Sequence, residues 1–479
     1  MPYLYFLYLC ALNTKRSYIM KRFFLLFSCV ALLLLGSCAE KSNAASSTLT
    51  SREEVDANPR IVVPSMTAYT GEIFTNEAPS APKGYEPFYM TAYLRHGSRF
   101  ESSPEYPIET YNYFNKADEL GVLTPLGKRV KEFMEWNYNH HQNRIGDLSP
   151  VGFDQHKSIA KRYSSRYPSL FKGDAEVVSV SSTSLRATMS MVGFNEGLKE
   201  VNPRLNNIME ASEVTGPEMR PQKPEHNPAY PAEEAKAYKN FLGKEVYSKL
   251  VEWGGRQDLS HAHYALFTNP ELFFAQFEHK KPFKIMTDIY KRMAFAQNFN
   301  KNDRSLIDEV FTADERYIIY KHENCCWYYR CASAAHPILA NNMAQSRVLV
   351  DYIVNRADEI INGEKESNAH LCFGHDLNII PLMNIFGLEN MPLVFGEGKE
   401  TIDYIAENWR GYKITPKAAN IFFIFYRNNE GKVLVRPQIN ERDVTMPIKS
   451  ATPYYYEWSK VKELAYARLA ELDELRKVK

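Results

Sequence analysis

The amino-acid sequence predicts an α/β fold in which a largely parallel sheet is flanked by helices and carries an inserted helical cap domain. Three short apolar runs, at residues 88–94, 177–183 and 370–374, have the composition of buried strands. Helix-like segments separate these runs, as expected for a parallel sheet. A proline-rich break at residues 200–233, followed by a mostly helical pattern to about residue 335, indicates where the cap is inserted.

Helix and turn signals support this arrangement. Thr124 and Ser149 each precede a proline, so that the hydroxyl caps a helix while the proline occupies its first position. Within the cap, Thr312-Ala313-Asp314-Glu315 forms a capping box. Two apolar runs joined by Asn428-Asn429-Glu430-Gly431 predict a hairpin that returns to the sheet. The predicted organisation is a signal peptide at 1–37, a tether at 38–80, an α/β core at 81–199 and 336–450, a mostly helical cap at 200–335, and a C-terminal helix at 451–479.

The leader predicts export. Met20, the predicted true start, opens a basic segment, and an apolar stretch at residues 23–35 leads to the small-residue box Leu35-Gly36-Ser37-Cys38. This pattern resembles a bacterial lipoprotein signal, which implies that Cys38 is lipidated and anchors the protein to the bacterial outer membrane, on the periplasmic or surface side. The alternatives are a plain secretory signal or a short membrane anchor, although the apolar run is shorter than the roughly 18 residues of a spanning helix.

Charge and cysteine content exclude some classes of function. The chain has 58 basic and 57 acidic residues, and removal of the leader's four basic residues would leave 54 against 57, a net charge of about −3. A general basic surface for nucleic acid is therefore not expected. Outside the leader, Cys325 or Cys326 could pair with Cys331 in a small disulfide loop, although one bridge or none is expected. Cys372 lies on a predicted core strand and is expected to be buried.

One stretch contains candidate catalytic and phosphate-binding residues. Arg95-His96-Gly97-Ser98-Arg99 follows the first predicted strand and sets a histidine between two arginines. Guanidinium groups are planar, permanently charged and suited to oxyanions, so the pair predicts a pocket for phosphate. The histidine between them is a candidate nucleophile.

This stretch resembles the Arg-His-Gly-x-Arg signature of the histidine acid phosphatases, a branch of the histidine phosphatase superfamily that includes phytases and multiple inositol polyphosphate phosphatases. Two further matches follow in the family's order. His375-Asp376 ends another apolar run and resembles the family's His-Asp motif, and Arg186 follows a strand as the family's third phosphate-binding arginine does. Sites in open parallel sheets form at the carboxyl ends of the strands, where these residues are predicted to meet.

The resemblance implies a role for each matching residue. His96 is the nucleophile and Asp376 protonates the leaving group, while Arg95, Arg99, Arg186 and His375 bind the phosphate. With that much positive charge, no metal or cofactor is implied. Two alternatives concern single residues: Arg186 as a surface arginine paired with Glu196, and Asp376 as a helix N-cap, a role that is compatible with catalysis.

The implied function is an exported phosphatase acting on small phosphomonoesters, above all inositol polyphosphates such as phytate. Alternatives are a general acid or sugar phosphatase of the same mechanism, and a lipoprotein that binds phosphorylated ligands without turnover. Two departures bear on the substrate: Glu101 stands where the family usually has proline, and His375-Asp376 stands where multiple inositol polyphosphate phosphatases usually have His-Ala-Glu. Glu101 is expected near the mouth of the pocket.

Overall fold

An eight-stranded mixed sheet forms the centre of the structure. The computed structural model describes residues 49–70, 80–301 and 304–477. The strand order is β3-β2-β4-β1-β5-β6-β7, with β8 also paired to β6. Strands β3, β2, β4 and β1 run parallel, whereas β5 to β8 are antiparallel to their neighbours. The strands are β1 Glu86–Arg95, β2 Glu176–Ser181, β3 Asn206–Ala211, β4 Ala369–Gly374, β5 Asn420–Arg427, β6 Val433–Ile439, β7 Arg442–Asp443 and β8 Tyr456–Glu457.

Helices cover both faces of the sheet, as the predicted α/β class requires. Those before β4 are α1 Ser51–Ala57, α2 Glu105–Glu119, α3 Pro125–His141, α4 Pro150–Arg166, α5 Leu185–Val201, α6 Gly216–Met219, α7 Ala232–Phe241, α8 Ser248–Gly254, α9 Ser260–Leu266, α10 Pro270–Phe274, α11 Pro282–Phe295, α12 Arg304–Val310, α13 Ala313–Trp327, α14 Pro337–Ala344 and α15 Arg347–Ile361. After β4 come α16 Asp376–Phe386, α17 Ile402–Asn408, α18 Gly411–Ile414 and α19 Trp458–Leu475.

Alternation along β1 divides the core between the two faces. Tyr89 and Tyr93 belong to one apolar cluster, which also holds residues of α14, α15, α16 and α19. Met90 and Leu94 point to the other face, where α4 and α5 pack. Because successive side chains of a strand point to opposite faces, one run of sequence serves both layers. This buries β1 at the middle of the sheet.

The predicted helix starts are confirmed. Thr124 caps α3 by accepting a hydrogen bond from the backbone N–H of Gly127, and Ser149 caps α4 through Gly152 in the same way. The capping box of Thr312 and Glu315 opens α13. Such caps satisfy N–H groups that have no partner within the helix, so they define where each helix begins.

The predicted tether at 38–80 is wrong for its central part. The described residues 50–66 form α1 and two short 3₁₀ helices, and Val55, Ile61, Val62 and Val63 are buried in a third apolar cluster. The polar composition of this segment gave no sign of regular structure, because only a few apolar side chains pack it against the rest of the protein. The remaining parts of the predicted tether, together with the leader and Cys38, lie largely or wholly outside the described residues.

The boundary predicted for the cap is also displaced. Strand β3 lies within the segment 200–335 but pairs in parallel with β2 at the edge of the core sheet. Most of its side chains are exposed, so it lacks the apolar run that marks a buried strand. The helices α9 to α13 share their apolar cluster with α2 and α3, which precede β2 in the chain. The helical layer beside the sheet is therefore assembled from several chain segments.

The disulfide suggested for Cys325 or Cys326 with Cys331 is not formed. These three residues and Cys372 are free thiols, and Cys372 is fully buried as predicted. In the part of the chain that the structure describes, no helix is both long and apolar enough to cross a membrane.

A close backbone contact fixes the loop after β1 against α4. A Cβ atom on Gly97 would overlap the backbone of Gly152, and one on Gly152 would overlap the backbone of Ser98. The N–H of Ser149 also donates to the Ser98 carbonyl at 2.9 Å. Glycine at both positions lets the start of α4 approach the loop that carries His96.

We expect Gly152→Ala to lower the free energy of unfolding by about 1–3 kcal/mol, because the added methyl group separates α4 from this loop. Urea denaturation of the purified protein measures the change. Gly243→Ala is the matched control, since a Cβ there meets no atom within contact distance. Equal stability of the two variants would contradict the contact.

Candidate active site

Three parallel strands end side by side and bring the predicted residues together. Arg95 at the end of β1 pairs in register with Gly374 at the end of β4, and Ser181 of β2 pairs with Phe373 of β4. The ladder continues beyond β1, where the N–H of His96 donates to the Gly374 carbonyl at 2.9 Å. The residues that follow each strand therefore meet at one edge of the sheet, the usual place for a site in such folds.

The imidazole of His96 is held in one tautomer. Its Nδ1 lies 2.9 Å from the carbonyl oxygen of Gly97. Because a carbonyl oxygen only accepts, Nδ1 carries the proton and Nε2 keeps its lone pair. The ring is 3% exposed, and burial together with the charges of Arg186 and Arg95 holds its pKa well below the ordinary value. His96 is therefore neutral at mildly acidic pH, with Nε2 available for attack.

Arg95 is completely buried and held from three sides. Its guanidinium donates to the carbonyl oxygens of Thr415 at 2.5 Å and Ser65 at 2.8 Å, and it forms an ion pair with Asp376 at 2.7 Å. Burial lowers its pKa to about 10, so it stays charged at any physiological pH. Ser65 belongs to the segment predicted as a tether, which here positions a residue of the site.

His375 and Asp376 follow β4 and are fixed by a hydroxyl of β1. The backbone N–H of His375 donates to the Tyr93 hydroxyl at 3.1 Å, and the Asn378 side chain donates to the same oxygen at 2.5 Å. The His375 ring packs against the His96 ring, with 5.6 Å between centroids, and its Nε2 lies 3.2 Å from the Ser182 hydroxyl. His375 thus lines the site beside the candidate nucleophile.

Asp376 is the first residue of α16, and the N-cap position belongs to His375. One carboxylate oxygen of Asp376 accepts from the Leu377 N–H at 3.0 Å, while the other contacts Arg95. Burial alone would raise the pKa of this carboxyl, but the charges of Arg95, Lys417 and Arg330 outweigh burial and hold the pKa well below its usual range. Asp376 is ionised in the unliganded protein.

Arg99 and Arg186 complete the group of cations. The Nε atoms of Arg95, Arg99 and Arg186 are all buried and have no hydrogen-bond partner among the described residues. The alternative pairing of Arg186 with Glu196 is not formed, because Glu196 pairs with Lys157 at 2.8 Å. Burial, followed by repulsion from Arg99 and Arg220, lowers the pKa of Arg186 to about 10. Buried cations that repel one another favour an anion between them.

Lys417 is a site residue that sequence reasoning missed. It is 1% exposed, and its ammonium group makes no hydrogen bond or ion pair within the described part of the chain. Burial and the charges of Arg95 and Arg99 hold its pKa well below the ordinary value. The next residue, Ala418, donates its N–H to the His96 carbonyl at 3.0 Å and has a φ of +60°. No motif marks Lys417, because only the pairing of β5 with β1 brings it to the site.

Glu101 does not lie at the mouth of the pocket. It is 1% exposed and forms a buried ion pair with Arg292 of α11. The carboxylate that replaces the family's usual proline therefore attaches the loop after β1 to the helical layer.

The described residues contain no group of three or more His, Cys, Asp and Glu side chains arranged to hold a metal ion. The described polar groups gathered there include the cations of Arg95, Arg99, Arg186 and Lys417, the imidazoles of His96 and His375, and the carboxylate of Asp376. This set suits a multiply charged oxyanion, which accepts hydrogen bonds from all of the cations. Cys38, the predicted lipidation residue, is outside the described residues.

Comparison with known proteins identifies the family and the fold. A family model described as "Histidine phosphatase superfamily (branch 2)" matches residues 92–440. No curated protein sequence matches the chain. Among solved structures, the multiple inositol polyphosphate phosphatase of Bifidobacterium longum in complex with inositol hexasulfate is similar, with 21% identity, a TM-score of 0.65, and coverage of 84% of this chain and 97% of that chain.

Two phytases are also similar in structure. The phytase from D. castellii has 15% identity and a TM-score of 0.60, with coverage of 93% of this chain and 92% of that chain. The Hafnia alvei phytase in complex with tartrate has 15% identity and a TM-score of 0.51, with coverage of 81% and 98%. At these identities the likeness establishes a shared fold.

We expect Lys417→Met to weaken competitive inhibition by inorganic phosphate by roughly 10- to 100-fold, because a charged hydrogen bond contributes about 1.5–3 kcal/mol. Steady-state kinetics with phosphate as inhibitor measure the effect. Lys449→Met removes an exposed lysine and serves as the control. An unchanged inhibition constant in Lys417→Met would show that the amine does not contact the anion.

Proposed function

The chain belongs to branch 2 of the histidine phosphatase superfamily, and we propose that it is an exported phosphatase that hydrolyses phosphomonoesters through a phosphohistidine on His96. We propose inositol polyphosphates as its substrates. One observation carries the catalytic proposal: the unprotonated Nε2 of His96 lies among arginines whose buried Nε donors have no partner in the described chain. Such a site binds a phosphate and presents a nucleophile to it.

Substrate binding places the phosphate among the cations. Arg95, Arg99 and Arg186 bind its non-bridging oxygens together with Lys417 and neutral His375. In phosphoryl transfer, charge spreads over these three oxygens in the transition state, so preorganised donors lower the barrier. Arg95 is fixed before substrate arrives, because its guanidinium is held by the carbonyl groups of Thr415 and Ser65.

In the first step, Nε2 of His96 attacks phosphorus in line with the ester bond. The N–P bond forms as the P–O bond breaks, and the leaving oxygen takes a proton from Asp376. The Gly97 carbonyl stabilises the positive charge that the ring acquires, because Nδ1–H donates to it throughout. Asp376 lies beside Arg95, so its carboxyl group is adjacent to the bound phosphate.

In the second step, water hydrolyses the phosphohistidine. Asp376, now ionised, takes a proton from the water as its oxygen attacks phosphorus. The N–P bond breaks, inorganic phosphate leaves, and Nε2 recovers its lone pair. A protein that only binds phosphorylated ligands needs neither a nucleophile nor an acid, so the pairing of His96 with Asp376 favours catalysis.

The proton for the leaving group enters with the substrate. Asp376 is ionised in the free enzyme because neighbouring cations lower its pKa. A phosphomonoester loses its second proton near pH 6, so its monoanion still carries one proton below that pH. Binding of this monoanion supplies the proton that Asp376 delivers to the leaving oxygen.

The structural neighbours support the choice of substrate. The similar proteins are a multiple inositol polyphosphate phosphatase and phytases, and one of them is described in complex with inositol hexasulfate. The export proposal is supported separately, by the basic start at Met20, the apolar stretch and the box that ends in Cys38.

Leaving-group dependence tests the role of Asp376. We expect Asp376→Asn to lower kcat on phytate by about 10²- to 10⁴-fold, because an alkoxide leaves poorly without a proton. The loss on p-nitrophenyl phosphate should be much smaller, since p-nitrophenolate leaves as an anion. His96→Ala is expected to be inactive on both substrates, with or without EDTA. Equal losses on the two substrates in Asp376→Asn would exclude the acid role.

The pH profile tests whether the substrate supplies the proton for the leaving group. We expect kcat/KM for phytate, whose alkoxide leaving group needs a proton, to fall as pH rises above about 6, because a phosphate group that binds as the dianion brings no proton to the ionised Asp376. Below that pH the rate should be maintained, since His96 stays neutral when its pKa is depressed. A rate that is constant from about pH 4 to about pH 8 would contradict this account.

Lipid labelling tests the anchor. We expect the full chain to incorporate labelled palmitate in a bacterial host and to sediment with membranes, and Cys38→Ser to do neither. Cys372→Ser, which alters a buried thiol, is the matched control. Incorporation of label into the Cys38→Ser variant would refute lipidation at this residue.

A further inference from the structure

The hydroxyl of Tyr93 contacts the chain on both sides of Asp376. It accepts hydrogen bonds from the backbone N–H of His375 at 3.1 Å and from the Asn378 side-chain amide at 2.5 Å. It donates its own proton to the Met219 carbonyl at 3.3 Å. A phenol oxygen has one proton to donate and two lone pairs, so these three contacts use its full capacity. The side chain is 1% exposed, which shields the contacts from solvent.

This hydroxyl completes the start of helix α16. His375 is the N-cap of α16, but its own side chain makes no capping hydrogen bond. In a capping box, the backbone N–H of the N-cap residue donates to the side chain of the third helical residue. The third residue here is Asn378, and its amide donates to Tyr93 instead. Tyr93 thus supplies, from β1, the acceptor that a capping box takes from its own helix.

The surroundings of the hydroxyl are built around it. Gly374 ends β4, and a Cβ atom at Gly374 would overlap the Tyr93 hydroxyl. Asn378 also donates to the Met219 carbonyl at 2.9 Å, the same oxygen that accepts from Tyr93. Burial raises the pKa of the Tyr93 phenol above its ordinary value, so the group keeps its proton. The contacts form a closed network among β1, α6 and α16.

Strand β1 therefore holds the predicted acid in two ways. Tyr93 holds the backbone before and after Asp376, and Arg95, two residues further along β1, holds the carboxylate at 2.7 Å. The same strand leads directly to His96. Small displacements of reacting groups cost much of the rate, so nucleophile and acid must keep a fixed separation across the phosphate. We propose that Tyr93 is a positioning residue for proton transfer from Asp376 to the leaving group. This inference rests on the proposed function.

A double-mutant cycle separates the positioning of Asp376 from a general loss of structure. Tyr93→Phe removes the hydroxyl and keeps the ring. Tyr89→Phe is the matched control, because Tyr89 is fully buried in the same apolar cluster and its hydroxyl has no hydrogen-bond partner among the described residues. Each substitution is made in the wild-type protein and in the Asp376→Asn variant. The cycle is read from kcat on phytate and on p-nitrophenyl phosphate.

We expect Tyr93→Phe to lower kcat on phytate roughly 10- to 100-fold, because the acid is displaced from the leaving oxygen. The loss on p-nitrophenyl phosphate should be much smaller, since its leaving group needs no proton. In the Asp376→Asn background, Tyr93→Phe should change kcat on phytate by less than about threefold, because the group that it positions is absent. Tyr89→Phe should change each rate by less than about twofold in both backgrounds.

Equal losses on the two substrates in Tyr93→Phe, or an undiminished loss in the Asp376→Asn background, would overturn the inference and leave Tyr93 a structural role. If circular dichroism shows that Tyr93→Phe does not fold, Asn378→Ala takes its place in the cycle with the same expected results, because it removes the other side chain of the network. An Asp376→Asn variant without leaving-group dependence would refute the proposed acid and the inference with it. A leaving-group-dependent Asp376→Asn variant beside an unaffected Tyr93→Phe would overturn the inference alone.

Discussion

The buried guanidinium of Arg95 is the group on which the rest of the site depends. It joins three chain segments, because it contacts the carbonyls of Ser65 and Thr415 and the carboxylate of Asp376. Removal of one partner from such a buried pair leaves an uncompensated charge and costs about 3–5 kcal/mol. The contacts therefore fix the loop after β4 relative to β1, and with it the distance between His96 and Asp376.

The same arrangement accounts for the electrostatics of the site. The charges of half-buried Arg99 and Arg186 and of buried Lys417 act on His96 with few anions to balance them, so the unliganded site favours anion binding. The neighbouring cations keep the imidazole of His96 neutral and the carboxyl of Asp376 ionised. In the proposed mechanism, His96 can then attack phosphorus, and Asp376 can receive the proton that a protonated phosphate brings. In the proposed mechanism, binding and catalysis both depend on this excess of positive charge.

Sequence reasoning found the parts of the site that follow apolar strands. The sequence predicted the positions of His96, Arg186 and Asp376 because each follows an apolar run typical of a buried strand. The parallel pairing of these strands then brings the three residues to the same edge of the sheet. Lys417 could not be found, since its approach depends on the antiparallel pairing of β5 with β1. Ser65 was missed for a related reason: a backbone carbonyl has no residue-type signature, and its contact with Arg95 spans 30 positions. Strand β3 escaped notice because an exposed edge strand carries no apolar pattern.

In the proposed mechanism, His96 becomes phosphorylated during turnover. Brief mixing with ³²P-labelled phosphomonoester, quenching in alkali and peptide mapping by mass spectrometry would locate the intermediate. We expect an acid-labile, base-stable label on the peptide that contains His96, and its loss on a chase with unlabelled substrate. Turnover by the wild-type enzyme without any such label, or with label on another residue, would contradict it.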